Sequence, residues 1–189
     1  VGTADGEILF LKVGTTTEFT DQGERRKRPH IRAGQPIPLT KSPIVRLAYR
    51  ANDQGSLLAL VSKGGRLLVV RIAANDVAGQ HPIITELPQP RGTVTALALD
   101  ALLENLYVGT ADGQVVHVAL SETESPEMRA AYTVAASSTA VTTLGFLSGD
   151  RSLVVMSEDG AVSTWGLVRR ADAPSGWTLT QIHTLRAHN

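Results

Sequence analysis

Hydrophobic and polar residues alternate along this chain in short bursts that return at near-constant intervals. Residues 155–167, "VMSEDGAVSTWGL", run as a strand, a turn at Asp159-Gly160, and a second alternating run through Trp165. The same pattern stands at 1–13, "VGTADGEILFLKV", turning at Asp5-Gly6, and at 108–120, "VGTADGQVVHVAL", turning at Asp112-Gly113. At 61–73, "VSKGGRLLVVRIA", the turn is Gly64-Gly65. Asp-Gly and Gly-Gly between hydrophobic runs mark hairpins, because the tight turn needs a residue at positive φ. The turn glycines Gly6, Gly65, Gly113 and Gly160 are 59, 48 and 47 residues apart. Strand-bearing repeats of roughly 40–50 residues indicate a propeller or a solenoid array.

Within each interval the pattern predicts four antiparallel strands. The second unit has an alternating run at 42–50, a turn at 52–55, the near-continuous apolar run "SLLALVS" at 56–62, a third strand after Gly65, a loop at 74–80 and an outer strand at 81–87. Continuous apolar strands are those buried on both faces. The third unit repeats this order with a first strand at 92–100, a turn and second strand over 102–110, further strands at 113–120 and 128–136, and a loop at 121–127. The fourth has them at 139–147, 153–157, 160–168 and 177–188. Val45, Val94 and Val141 open equivalent first strands. In the first unit only residues 1–13 read as a hairpin; 14–28 is polar and reads as a long loop, and 29–39, with three prolines, as an edge strand or connection. The expected architecture is all-β: a β-propeller of about four blades, each of four antiparallel strands, with units at 1–39, 42–88, 92–136 and 139–188. Val1 falls inside a repeat, so the pattern predicts a piece of a longer chain whose first unit lacks its opening strand.

Composition narrows the function classes. Lys+Arg and Asp+Glu are both 18, which gives no net charge to steer the chain to nucleic acid. No apolar run approaches the ~18 residues of a membrane span. The absence of cysteine excludes disulfides and thiolate metal sites.

The third strands, aligned on the turn glycine, place Leu11, Val70, Val118 and Trp165 at one position. Trp165 stands where a tryptophan-aspartate repeat has its Trp, although Gly166 replaces the Asp and the glycine-histidine signature is absent. The chain therefore resembles a divergent WD40-like propeller. Its end, "SEDGAVSTWGLVRR…WTLTQIHTLRAH", also resembles the propeller-like insert of large bacterial phosphate ABC transporter permease subunits, through the Asp159-Gly160 turn, Val162 to Trp165 and the closing run at 182–188. That resemblance implies an accessory domain on the periplasmic side of an inner membrane, with other transporter subunits or another protein as partner. It carries over no transport or phosphate residue.

Candidate chemistry is sparse. The run "ERRKRPHIR" at 24–32 gathers Arg25, Arg26, Lys27, Arg28 and Arg32, a pattern that can contact phosphate or anionic headgroups and that equally arises in a solvated loop. With only Phe19 nearby it offers no stacking platform, and no nucleic-acid partner is expected. The Asp-Gly pairs are turn chemistry, because calcium loops need several oxygen ligands at alternate positions. His30, His81, His117, His183 and His188 lack metal-ligand spacing, and His117 sits at a packing or surface position. Neither a phosphate loop nor a nucleophile elbow is present: "SKGGR" at 62–66 is too short and "GFLSGD" at 145–150 lacks the serine pattern. The reading expects no catalytic, cofactor or metal residue. Three functions follow: a non-catalytic accessory or interaction domain of the permease; a WD40-like protein-interaction scaffold unrelated to transport, then cytoplasmic; or a fragment of a propeller enzyme whose site lies in absent blades. Exposed inner blade edges further predict either a compact four-bladed ring or a homodimer.

Overall fold

A computed structural model describes residues 1–76, 81–121, 128–147, 149–173 and 176–186. The described residues form strands and turns, without a helix. Two compact units are distinguished, residues 1–44 and 45–189.

The second unit contains three four-stranded meanders. The first comprises β5 (Ile44–Asn52), β6 (Gly55–Ser62), β7 (Leu67–Ala73) and β8 (Ile83–Leu87), paired in that order. The next comprises β9 (Val94–Leu99), β10 (Asn105–Thr110), β11 (Gln114–Leu120) and β12 (Met128–Ala135). The last comprises β13 (Val141–Phe146), β14 (Leu153–Ser157), β15 (Ala161–Arg169) and β16 (Trp177–Arg186). Sequential four-stranded sheets of this kind are propeller blades. Parts of the expected loops at 74–80 and 121–127, and the end of the closing run with His188, lie outside the described residues.

The middle blade buries both faces of its inner strands against its neighbours. Leu57, Ala59 and Val61 of β6, with Leu67 and Val69 of β7, pack against Val94, Leu106, Val108, Val116 and Val118 of the next blade. The opposite face of that blade sets Ala96, Ala98, Tyr107 and Val115 against Val141, Leu144, Leu153, Val155 and Trp165 of the last. Leu106 and Val108 thus look one way and Tyr107 the other, as the two-residue period of a strand requires. Gly109 marks a close approach between blades: a Cβ there would stand 2.5 Å from Cγ1 of Val141.

The first unit departs from the sequence reading. Residues 14–28 are not a loop. β1 (Glu7–Ile8) pairs with β4 (Ile37–Pro38), and between them β2 (Leu11–Phe19) and β3 (Arg25–Ala33) form a nine-residue antiparallel hairpin. The expected hairpin at 1–13 holds over residues 1–9, where the Thr3 N–H donates to the Glu7 carbonyl, Val1 and Leu9 bond each other and Gly2 bridges Ile8; residues 11–13 pair with 31–33 instead. Charge density at 24–32 suggested a loop, but side chains that stay in water on both faces of a ribbon do not oppose pairing of the backbone. The long first interval is therefore filled by strand.

One turn design serves the Asp-Gly and Gly-Gly turns and the β2–β3 turn. A Ser or Thr stands three residues before a glycine, its carbonyl accepts the glycine N–H, and its hydroxyl accepts the N–H of the residue after the glycine. Thr110 accepts Gly113 N–H at 3.2 Å and Gln114 N–H at 3.1 Å. Ser62 accepts Gly65 and Arg66, Thr3 accepts Gly6 and Glu7, and Thr20 accepts Gly23 and Glu24 in the same way. Ser157 varies the theme: Asp159 Oδ1 takes the Ala161 N–H, and the Ser157 hydroxyl donates to Asp159, which holds that carboxyl below its usual range. The glycine closes each turn in the left-handed region that a side chain disfavours, with φ 78° at Gly113 and Gly160.

Gly113 and Gly149 separate backbone strain from steric contact. Both have positive φ, but a Cβ at Gly113 would stand 2.2 Å from the Ser137 carbonyl oxygen, while one at Gly149 meets nothing within 4 Å. Gly149→Ala should cost about 1 kcal/mol, the left-handed penalty alone. Gly113→Ala should cost at least about 3 kcal/mol, because backbone must also move. Urea denaturation of the two variants measures the difference.

Candidate interaction surfaces

The sequence-singled cations come together on the β2–β3 ribbon of the first unit. Its register pairs Lys12 with Arg32, Gly14 with His30, Thr16 with Arg28 and Glu18 with Arg26 on one face. The other face pairs Leu11 with Ala33, Val13 with Ile31, Thr15 with Pro29, Thr17 with Lys27 and Phe19 with Arg25. The five cations of the run are thus split: Arg26, Arg28 and Arg32 share a face with Lys12, and Arg25 and Lys27 lie opposite. The only ion pair recorded on the ribbon among the described residues is Arg28–Glu18, at 3.7 Å. His30 Nδ1 meets Thr16 Oγ1 at 3.1 Å. The apolar members are open to solvent as well, with Val13 70%, Phe19 71% and Ile31 66% exposed. Strand order on this ribbon was missed from sequence. The signal was Thr20-x-x-Gly23, spaced as in the four recognised turns, and Gly23 indeed has φ 79°.

In the second unit the arginines of β5 are engaged with backbone. Arg46 Nε donates to the Thr95 carbonyl at 2.7 Å, Arg50 Nε to Leu99 at 3.2 Å, and Asn52 Nδ2 to Ala101 at 3.0 Å, each 49 residues on. Thr95 continues the series by donating to the Val141 carbonyl. The repeat spacing thus reappears as side-chain bonds from one first strand to the next. Arg50 also pairs with Asp150 at 3.0 Å, where the chain turns with φ 54°.

The repeat turns, Asp5-Gly6, Gly64-Gly65, Asp112-Gly113 and Asp159-Gly160, are structural. Trp165 is buried, and its Nε1 donates to Ser163 Oγ at 2.8 Å within the blade core. His183 is exposed on β16. Among the described residues no group of His, Asp and Glu is placed to hold a metal ion.

The last blade carries an open apolar face. Forty-seven residues after Ala98, Tyr107, Gly109 and Val115 stand Gly145, Val154, Met156 and Val162. The first set is buried against the last blade, whereas Met156 is exposed, together with Val168 and Ile182.

Among the described residues, His117 is the one histidine enclosed in a core. Asp100 accepts the N–H groups of Glu104 and Asn105 at 3.0 Å each and the Asn105 amide at 2.6 Å. That orients the Asn105 oxygen toward His117 Nε2, at 2.7 Å, so Nε2 carries the hydrogen. The ring lies between Tyr107 and Tyr132, with centroids 5.0 and 4.9 Å away. Nδ1 is buried without a partner among the described residues, and burial pushes the imidazole down to about 4. Burial likewise raises the Tyr107 hydroxyl and pushes Tyr132 up to about 12. The enclosed ring is a packing element between β10, β11 and β12, one of the two roles expected for it. The unfolded chain binds a proton near pH 6.5, and the folded chain resists until about 4, so stability falls as pH drops through that window, by up to roughly 3 kcal/mol. His117→Phe keeps the ring contacts. Its loss of stability between pH 7.5 and 4.5 should be smaller than that of the unaltered chain by about 2 kcal/mol, read from urea denaturation at both pH values.

No family model and no curated protein matches this sequence. Solved structures do. Sqt1 from Chaetomium thermophilum aligns over 98% of this chain with TM-score 0.61 and 20% identity, and the same protein bound to the N-terminus of the ribosomal protein L10 aligns with TM-score 0.56 and 18% identity. The Cps50 (Swd1) β-propeller domain of Myceliophteria thermophila aligns over 93% with TM-score 0.53 and 14% identity. This chain spans 42% and 44% of the two Sqt1 chains and 75% of the Cps50 domain. At these identities the likeness is one of fold: the sheets described above are blades of the WD40 β-propeller type.

Proposed function

We propose that this chain is a non-catalytic protein-interaction module. The observation that carries the reading is the β2–β3 ribbon, which presents cations and apolar side chains to solvent on a hydrogen-bonded frame. The blade fold supports it, since propellers hold their connections rigidly, and binding residues on such scaffolds sit on the connecting segments. Sqt1, similar in fold, is seen with the N-terminus of a ribosomal protein bound, which favours a protein segment as the kind of ligand.

The narrower reading, an accessory domain of a phosphate transporter permease on the periplasmic side, rests on the C-terminal sequence resemblance. The structural neighbours favour the unattached scaffold instead. Crosslinking in the native membrane, read by mass spectrometry, distinguishes the two. Transporter subunits or a phosphate-binding protein among the crosslinked species support the first. A saturable complex with an identified protein that has no membrane association supports the second. Recovery of small-molecule turnover from the purified chain, with no protein complex, would overturn both.

Homodimerisation has a concrete surface in the open face of the last blade. A second copy packed there would cover Met156 and Ile182. Light scattering should then show a dimer that Met156→Glu and Ile182→Glu return to monomer; a monomer at every concentration before substitution rules this contact out.

A further inference from the structure

We propose that the cationic face of the β2–β3 ribbon docks an extended acidic segment of a partner protein, laid along β3 as a third strand. The inference rests on the interaction-module reading and names its ligand chemistry. On that face stand Lys12, Arg26, Arg28 and Arg32 against the single carboxylate Glu18, a surplus of three positive charges in a chain that is neutral overall. Arg26 and Arg28 are adjacent members of one face of β3, so their Cα atoms are about 6.8 Å apart, the repeat at which a second strand presents its own alternate side chains. Asp or Glu at every second position of an added strand would stand directly across from them.

The opposite face sets the other half of the segment. Ile31 and Ala33 of β3 and Val13 of β2 form an exposed apolar row at the end of that face away from the turn, and Lys27 and Arg25 continue the face of β3 toward the turn. An added strand with acidic residues on one side therefore calls for apolar residues on the other where it crosses Ile31 and Ala33. The ribbon also has reason to accept a third strand. A two-stranded hairpin in water is marginal by itself, and its outer edges present unpaired backbone groups. Pro29 withholds one amide from the β3 edge, which leaves one gap in the ladder.

Two other polyanions fit less well. A nucleic-acid backbone has no counterpart for the Val13–Ile31 row, and the aromatic that could stack a base, Phe19, lies on the face away from Arg26, Arg28 and Arg32. An anionic membrane would meet the ribbon at its turn, where Asp21 and Glu24 repel it.

The test measures binding of a fluorescent ten-residue peptide of alternating Glu and Val to the 189-residue chain by anisotropy. Its comparators are a Lys/Val peptide, the Glu/Val peptide N-methylated at alternate amides, a single-stranded oligonucleotide, and vesicles containing anionic phospholipid. The proposal expects saturable binding of the Glu/Val peptide, loss of more than tenfold in affinity on N-methylation, and no binding of Lys/Val. The double variant Arg26→Glu, Arg28→Glu should weaken binding more than tenfold, with Arg26→Lys, Arg28→Lys near the unaltered value. Arg151→Glu, outside the ribbon, should leave affinity unchanged, and circular dichroism with thermal melting checks that each variant is folded. Preference for the oligonucleotide or the vesicles overturns the proposal, as does unchanged peptide affinity in the Glu variants. If the chain captures its protein partner by crosslinking while the ribbon variants bind it as well as before, the ribbon assignment fails and the interaction module stands. If no protein partner is captured, the broader reading fails with it.

Discussion

Where a side chain would stand on Gly6 or Gly113, a backbone carbonyl from the following connection already sits. A Cβ at Gly113 would lie 2.2 Å from the Ser137 oxygen and 2.7 Å from that of Thr139, and a Cβ at Gly6 meets Thr40 and Ser42 at the same two distances. The Gly113 carbonyl then accepts the N–H groups of Ala136 and Ser137, as the Gly6 carbonyl accepts those of Leu39 and Thr40. The chain leaving a fourth strand is thereby held on the preceding turn and delivered to the next first strand. This contact needs both freedoms of glycine at once, positive φ and no side chain. With the corner fixed, the next strand enters its own sheet in register, and Ala96 and Tyr107 can meet Val141 and Val155.

The first strands are then joined by side chains that reach a carbonyl in the next blade. Arg46, Arg50 and Asn52 each bond a residue 49 positions on, and Thr95 one 46 positions on. First-strand carbonyls need partners, and a long donor from the neighbouring blade supplies one where no further strand pairs. A sequence repeat and a hydrogen-bond interval agree because one produces the other.

Much of this is legible in the amino-acid sequence. The apolar runs at 56–62 and 113–120 and the Asp-Gly spacing identify blades because burial on both faces and positive φ each leave a compositional trace. The β2–β3 ribbon left a different trace. Its residues are exposed on both faces, so no hydrophobic alternation marks "TTTEFTDQGERRKRPH", and only Thr20-x-x-Gly23 and the threonine run reveal a hairpin. Charge was visible, but how it is sorted between faces was not, since that depends on the register Glu18↔Arg26. His117 was legible as a packing position, yet its enclosure follows from Tyr132 and Asn105, whose approach depends on three strands at once. Arg50–Asp150 joins residues a hundred positions apart and has no local signal.

The distribution of chemistry follows from what the blades have already spent. In the middle blade β10 and β11 have apolar neighbours on both sides, β5 has Arg46 and Arg50 tied to carbonyls, and Asp112 and Asp159 serve their own turns. Changing such a side chain changes packing before it changes recognition. The ribbon carries no such obligation: its frame is backbone hydrogen bonding, and its side chains alternate freely between two faces. It can therefore hold Arg26, Arg28 and Arg32 on one side and Val13 and Ile31 on the other without disturbing a core. A strand period of two converts one short segment into two chemically distinct surfaces, and a partner must match both to lie flush along the edge.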